Sequence, residues 1–138
     1  GDDRGIGMSE RQYEVGNAEL EVIKVLWDLG PSTVRDVLNH LHEQGRRVAY
    51  TTVLTFLTRL EQKGHVSSDK SNVAYVYRAT VSRRSLTRSR LHTLVEDLFD
   101  GAPGQLALQL MRTTKFTQTE LEELQRLIEQ LDTKQQQM

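Results

Sequence analysis

The chain has 138 residues, 37% of them hydrophobic, and this length corresponds to one small domain with room for an appended module. It contains no cysteine, which excludes disulfide bonds, thiolate zinc sites and cysteine nucleophiles within it. No apolar run approaches the roughly 18 residues of a membrane span, and the acidic start does not resemble a signal peptide. We therefore expect a cytoplasmic protein without membrane insertion, and the presence of only two prolines favours a mainly helical fold.

The net charge of −1 conceals three segments of different sign. Residues 1–30 contain 3 basic and 7 acidic residues, residues 31–93 contain 11 and 4, and residues 94–138 contain 4 and 8. A basic segment between two acidic ones indicates a polyanionic partner for the middle of the chain. Ordinary solvated surface charge explains the pattern equally well, so the position of each cation matters.

The first part of the chain predicts a leader and two helices. Residues 1–15 are expected to form a flexible leader, because glycines at alternate positions near its start resist ordering. Asn17 can cap a first helix that ends before a Gly-Pro pair. Thr33 and Asp36 have the spacing of a capping box at the start of a second helix, and Gly45 ends that helix.

A third helix is predicted over about Tyr50–Lys63. Its inner side is apolar, and its outer side combines short hydroxyls with cations and carries Glu61 as the only acid. A solvated helix more often mixes both signs, so this face indicates a binding surface. The outer residues are Thr51, Thr52, Thr55, Arg59 and Lys63.

The period then changes from helical to two, which predicts a β-hairpin. Its strands are Val66–Ser68 and Ala74–Ala79, joined by a polar turn over Asp69–Asn72. Tyr75 and Tyr77 fall on one face of the second strand. Stacking on bases is open to them, but aromatic stripes more often pack in a core, and we favour packing of the hairpin on the helices.

Three helices followed by a hairpin, with threonines and cations on the third helix, predict a winged helix-turn-helix domain over residues 16–80. The fold class is thus mainly α with a small β-hairpin. A helix of this length fits the major groove, which is about 12 Å wide, and loop and hairpin cations can contact phosphates. Threonine methyls can meet thymine methyls. The predicted partner is double-stranded DNA, contacted by Arg46, Arg47, Tyr50, Thr51, Thr52, Thr55, Arg59, Lys63, Lys70 and Arg78.

Residues 81–138 are predicted to form a helical dimerisation module. Ser82 can cap its first helix, and a final helix opens near Thr117 with a heptad-like leucine seam. Such stripes need a cover, which we expect to be a second copy, although folding back on the same chain is an alternative. The predicted dimerisation residues are Leu91, Leu94, Val95, Leu98, Phe99, Leu106, Leu110, Leu121, Leu124, Ile128 and Leu131.

Catalytic and metal sites are not predicted. The chain carries no phosphate loop, nucleophile elbow or paired acid site, so we expect neither an enzyme nor a cofactor. A metal-responsive regulator that uses His40, His42, His65 and His92 is a weak alternative, because residues i and i+2 of a helix point apart. A further alternative is a winged helix that docks an acidic protein partner.

The chain resembles the penicillinase and methicillin-resistance repressors, the BlaI/MecI family, from about Gly16 to Asp132. Five ordered blocks carry the resemblance: AELEVIKVLWDLGPSTVRDV (18–37), AYTTVLTFLTRLEQKGHV (49–66), AYVYRATVSR (74–83), LFDGAPGQLALQLM (98–111) and TQTELEELQRLIEQL (117–131).

The resemblance implies a homodimeric winged-helix repressor that binds an inverted repeat with a TACA/TGTA-like core in a promoter. It also implies induction by cleavage within the C-terminal module, often under a membrane-bound sensor protease. At the position of the relatives' scissile bond stand Gln109 and Leu110, where relatives have asparagine and phenylalanine. The wing has a single lysine, Lys70, where many relatives are strongly basic.

Overall fold

The structure is a computed structural model, and it describes residues 15–137. In chain order the elements are α1 (Asn17–Leu29), β1 (Ser32–Thr33), α2 (Val34–Glu43), α3 (Tyr50–Gln62), β2 (Val66–Asp69), β3 (Val76–Ala79), α4 (Arg83–Phe99), α5 (Pro103–Thr113) and α6 (Gln118–Gln136). The predicted leader lies outside the described residues except for Val15, which is 2% exposed and belongs to the core.

Local signals set most helix starts. Thr33 Oγ1 accepts a hydrogen bond from the Asp36 backbone N–H at 3.1 Å, and the Asp36 carboxylate accepts one from the Thr33 N–H at 3.1 Å. This confirms the predicted capping box of α2. The prediction that Asn17 caps α1 is wrong, because Gly16 is the N-cap residue and Asn17 already lies within the helix.

Two glycines in the left-handed region end α2 and α3 as predicted. Gly45 has φ 82° and Gly64 has φ 83°, a conformation that strains any residue with a Cβ. The chain then turns back on itself, so that the Arg46 N–H bonds the Leu41 carbonyl at 2.8 Å. The start of the loop before α3 is therefore fixed to the end of α2.

The sheet has three antiparallel strands in the order β1-β3-β2. The predicted hairpin is confirmed as β2 and β3, with Ser68 opposite Tyr77. The third strand, β1, was not predicted: its two residues pair Ser32 with Tyr77 and Thr33 with Val76. The element order is that of a winged helix, and the predicted fold class is confirmed.

One apolar core joins the first three helices to the sheet. Its fully buried members are Val15 and residues of α1, α2 and α3, and Tyr77 of β3, 3% exposed, covers one side. Burial of each such aliphatic side chain stabilises the fold by about 1.5–3 kcal/mol. The most deeply buried side chains are Val15, Val22, Ile23, Val25, Val37, Val53, Leu57 and Leu60.

Within residues 15–137 the chain divides into two compact units between Ser89 and Arg90, so the division falls inside α4. The sequence placed it earlier, at residues 80 and 81. The start of α4 belongs to the first unit because Leu86 is buried in the winged-helix core, and because the Trp27 indole N–H bonds the Val81 carbonyl at 2.9 Å. Ser82 caps α4, as predicted, by accepting a hydrogen bond from the Ser85 N–H at 3.0 Å.

Candidate nucleic-acid interface

The solvent-facing side of α3 is a row of polar side chains. Val53, Leu57 and Leu60 face the core, and the residues directly opposite on the helix are exposed. They recur at i, i+4, i+7 and i+11, so they form one continuous row. We name this set the outward row: Thr51, Thr55, Thr58 and Gln62.

Two of its members were missed from the sequence. Thr58 and Gln62 share the spacing of Thr51 and Thr55, and that spacing could have found them. Conversely, Thr52 is half-buried at the border of the row. The exposed polar face of α3 is therefore centred slightly to one side of the face predicted from the sequence.

The hydroxyl of Thr55 is partly committed. Thr55 Oγ1 donates its hydrogen to the Thr51 carbonyl at 2.8 Å, one helical turn earlier. The oxygen can still accept a hydrogen bond, and the methyl group is unaffected. At this position the helix presents an acceptor and an apolar group rather than a donor.

The three arginines predicted to contact phosphates on or before α3 are all accessible. Arg59 lies on α3, and Arg46 and Arg47 lie in the loop before it; all three are exposed. Arg46 contacts the Glu21 carboxylate at 3.3 Å, whereas neither Arg47 nor Arg59 forms an ion pair within residues 15–137. Of these three arginines, Arg47 and Arg59 are therefore the two whose guanidinium groups are not already paired with a carboxylate of the described residues.

Lys63 does not join this surface. Its ammonium donates to both oxygens of the Glu19 carboxylate, at 2.8 and 2.9 Å, and the two side chains are only 20% and 8% exposed. The pair joins the end of α3 to the start of α1. Lys63, predicted to contact a phosphate, therefore lies in a largely buried ion pair. The sequence did not indicate this, because it could not place Glu19 beside the end of α3.

The wing, residues 66–79, is attached to α3 through Glu61. This carboxylate accepts a hydrogen bond from the Ser68 hydroxyl and lies 3.9 Å from the Lys70 ammonium. Lys70 also lies 5.9 Å from the centroid of the Tyr75 ring. The only acid of α3 therefore fixes the wing, and it offsets part of the charge of the wing lysine.

The turn of the wing is held by Asp69. Its carboxylate accepts hydrogen bonds from Ser71, including the backbone N–H at 2.9 Å, and these bonds, helped by the charge of Arg78, lower the pKa of Asp69. Arg78 is exposed on β3, as the prediction of a phosphate contact requires.

A cleft of about 260 Å³ lies between the N-terminal ends of α2 and α3 and the wing. Tyr50 is 41% exposed there, and the Arg35 guanidinium lies 4.9 Å from the centroid of its ring. Arg35 was not predicted as a site residue, because its position depends on β1 bringing α2 beside the wing. Leu54 and Val73, also in the lining, were missed as well.

The two hairpin tyrosines have different environments. Tyr77 packs in the core, as favoured, and this burial raises the pKa of its phenol. Tyr75 precedes the first residue of β3 and is 43% exposed. The alternation assumed for both residues does not extend to Tyr75, because the strand starts only at Val76.

The second unit exposes its apolar residues. No side chain of residues 90–137 is buried, although this segment forms most of α4 and all of α5 and α6. Among the predicted dimerisation residues, Val95, Phe99, Leu106 and Leu124 are half-buried and the others are exposed. Three apolar residues outside that set, Leu108, Met111 and Leu127, are exposed as well.

Gln109 and Leu110 lie in the middle of α5, and both are exposed. The Gln109 carbonyl accepts a hydrogen bond from the Thr113 hydroxyl at 2.7 Å. Within the described residues, no helix has the length and apolar composition needed to cross a membrane. No three His, Asp or Glu side chains of residues 15–137 are grouped to hold a metal ion.

Residues 15–130 match the sequence profile of the family described as "Penicillinase repressor". Among similar proteins, an uncharacterized 16.5 kDa protein from the ptsI 3′ region of Latilactobacillus sakei is 30% identical over 121 residues, covering 88% of this chain and 82% of that protein. The methicillin resistance regulatory protein MecI of Mammaliicoccus sciuri is 24% identical, covering 88% of this chain and 98% of that protein. The penicillinase repressor of Staphylococcus aureus is 22% identical, covering 92% and 100%.

Proposed function

Because the chain belongs to the penicillinase repressor family, which comprises transcriptional repressors and not enzymes, we propose that it is a homodimeric DNA-binding repressor of an inverted-repeat promoter operator. The observation that carries this proposal is the outward row of α3. This row presents short hydroxyls and one amide to solvent; Arg59 is exposed on the same helix, and Arg47 is exposed in the loop before it.

Major-groove reading requires such a combination. Base edges in the groove present hydrogen-bond donors, acceptors and thymine methyls, which threonine and glutamine can meet. Phosphates lie at both margins of the groove, where arginines position the protein without reading sequence. Thr51 and Thr55 would read bases near the N-terminal end of α3, and Arg47 and Arg59 would hold phosphates.

Dimerisation is supported by the second unit. Residues 90–137 contain no buried side chain and expose leucine, isoleucine or methionine on each of their three helices, and exposed apolar patches of this kind mark interaction sites. A second copy would cover the seam formed by Leu121, Leu124, Ile128 and Leu131. Two α3 helices would then enter successive major-groove turns, about 34 Å apart, and tethering would raise the local concentration of the second module.

Repression needs no chemistry under this proposal. A dimer bound across a promoter blocks RNA polymerase by occupying the same DNA. Relief would follow from cleavage between Gln109 and Leu110 by a membrane-bound sensor protease, since the cut would separate α6 from the winged helix. Because both residues lie within α5, a protease would first need that helix to open locally.

The test uses the full chain and a library of random duplexes. Selection is expected to enrich an inverted repeat whose half-sites are about one helical turn apart, and sedimentation at binding concentrations is expected to show a dimer. Binding of all duplexes with equal affinity would contradict the proposal. Binding of an acidic protein or heparin without any DNA preference would favour the alternative of a protein-docking winged helix.

A further inference from the structure

Beside the outward row, α3 also exposes apolar side chains. Leu54 of α3 is 37% exposed, whereas Leu57 and Leu60 of the same helix are 0% exposed. Tyr50, one turn before Leu54, is 41% exposed. Both side chains line the cleft between α3 and the wing, which Val73 and Tyr75 continue.

We call Tyr50 and Leu54 the apolar strip. It is continuous with the outward row. Leu54 follows Thr51 by three residues and precedes Thr58 by four, so the three side chains are neighbours on the helix surface. Tyr50 is held in place by the Arg35 guanidinium against its ring. The strip therefore lies on the N-terminal half of α3, the part of a recognition helix that meets base edges.

The chemistry of the major groove selects the occupant. Leu54 cannot form a hydrogen bond through its side chain, and the only methyl group on any base edge in the major groove is the C5-methyl of thymine. Resting on the function proposed above, we infer that Leu54, together with Tyr50, contacts thymine methyl groups and makes the protein select thymine at those positions.

The test replaces the methyl group and nothing else. After selection of the preferred duplex with the full chain, each thymine is replaced singly by deoxyuridine, and affinities are measured by fluorescence anisotropy. Loss of one contacted methyl is expected to weaken wild-type binding about fourfold at one or two positions per half-site. In Leu54→Ala the same replacement is expected to weaken binding less than 1.5-fold, by the same reasoning.

Three variants make the assignment specific. Leu54→Met keeps an apolar side chain and is expected to retain the thymine preference. Leu29→Ala removes another exposed leucine, 46% exposed on α1, and is expected to keep the wild-type response. Thr55→Ser removes a neighbouring methyl, and it is expected to leave the deoxyuridine effect at the Leu54-dependent positions unchanged.

Different outcomes separate this inference from the function on which it rests. If selection enriches no sequence, the proposed function fails. If a sequence is enriched but no deoxyuridine replacement weakens binding, or if Leu54→Ala keeps the full loss, only the role of Leu54 is overturned. A uniform loss on all duplexes in Leu54→Ala, with the methyl effect intact, would assign the strip to another occupant and overturn the inference as well.

Discussion

Lys63, near the end of α3, and Glu19, near the start of α1, form an ion pair in which one ammonium meets both carboxylate oxygens. The carboxylate is 8% exposed, so removal of the lysine leaves a negative charge with little access to water. This pair fixes the C-terminal end of α3 to the body of the domain. Its role is therefore expected to appear in stability before it appears in DNA affinity.

Lys63→Met is expected to lower the free energy of unfolding by about 3 kcal/mol, because Glu19 loses its cation while it remains largely buried. The double change Glu19→Leu with Lys63→Met removes both charges and is expected to recover most of the loss. Urea unfolding of the wild type and of these two variants measures both effects.

Lys70→Met serves as the matched control, since it breaks a Lys–Glu contact of 3.9 Å whose side chains are 56% and 30% exposed. We expect it to cost less than about 1 kcal/mol. Equal losses in Lys63→Met and Lys70→Met would show that burial of the first pair does not matter.

The salt dependence of DNA binding is expected to distinguish Arg47 from Lys63. If a dimer neutralises roughly 6–10 phosphates, affinity falls about 10³- to 10⁵-fold between 50 and 200 mM salt. Arg47→Ala is expected to reduce the slope of log affinity against log salt by about one for each lost phosphate contact, two per dimer. Lys63→Met is expected to leave the slope unchanged, and a reduced slope in that variant would return Lys63 to the interface.

Local sequence predicted the elements that local chemistry determines. The capping box at Thr33, the helix-ending glycines and the cap at Ser82 each depend on residues only a few positions apart, so spacing was enough. The strand β1 could not be found in this way, because two residues become a strand only through pairing with β3.

In the candidate site, too, local sequence predicts some residues, whereas others depend on contacts between distant parts of the chain. The threonine face follows from helical period alone, and Thr58 was within reach of that argument. Helical period also places Lys63 on the outer side of the third helix and so predicts contact with DNA, but its ion-pair partner, Glu19, is 44 residues away and could not be located from the sequence. Sequence reasoning normally assigns a leucine on a helix to the core. That Leu54 instead lines an open cleft depends on where the wing lies, which the local sequence does not determine.

The burial of Tyr77 predicts a loss of stability in alkali. Its pKa is raised by burial, so the unfolded chain releases this proton at a lower pH than the folded protein does. The contribution of Tyr77 to the free energy of unfolding is complete below the unfolded pKa of about 10, and it is lost as the pH rises through the pKa of the folded state. Urea unfolding between pH 9 and 11 is expected to show a steeper decline in the wild type than in Tyr77→Phe. Tyr75→Phe, at a 43% exposed ring, is expected to follow the wild type; if it matches Tyr77→Phe instead, burial is not the cause.

The exposed seam of α6 predicts which substitutions dissociate the dimer. Ile128 is 57% exposed and lies between Leu124 and Leu131 on one side of the helix. Ile128→Lys places a charge where a second copy is proposed to pack, and we expect monomers in sedimentation velocity and at least a 100-fold loss of operator affinity, as the avidity of tethered modules predicts. Gln130→Lys adds the same charge on the polar side of α6 and is expected to remain dimeric. Because the winged helix is a separate compact unit, Ile128→Lys is expected to keep its Trp27 fluorescence; a dimer that persists in this variant would show that α6 is not the interface.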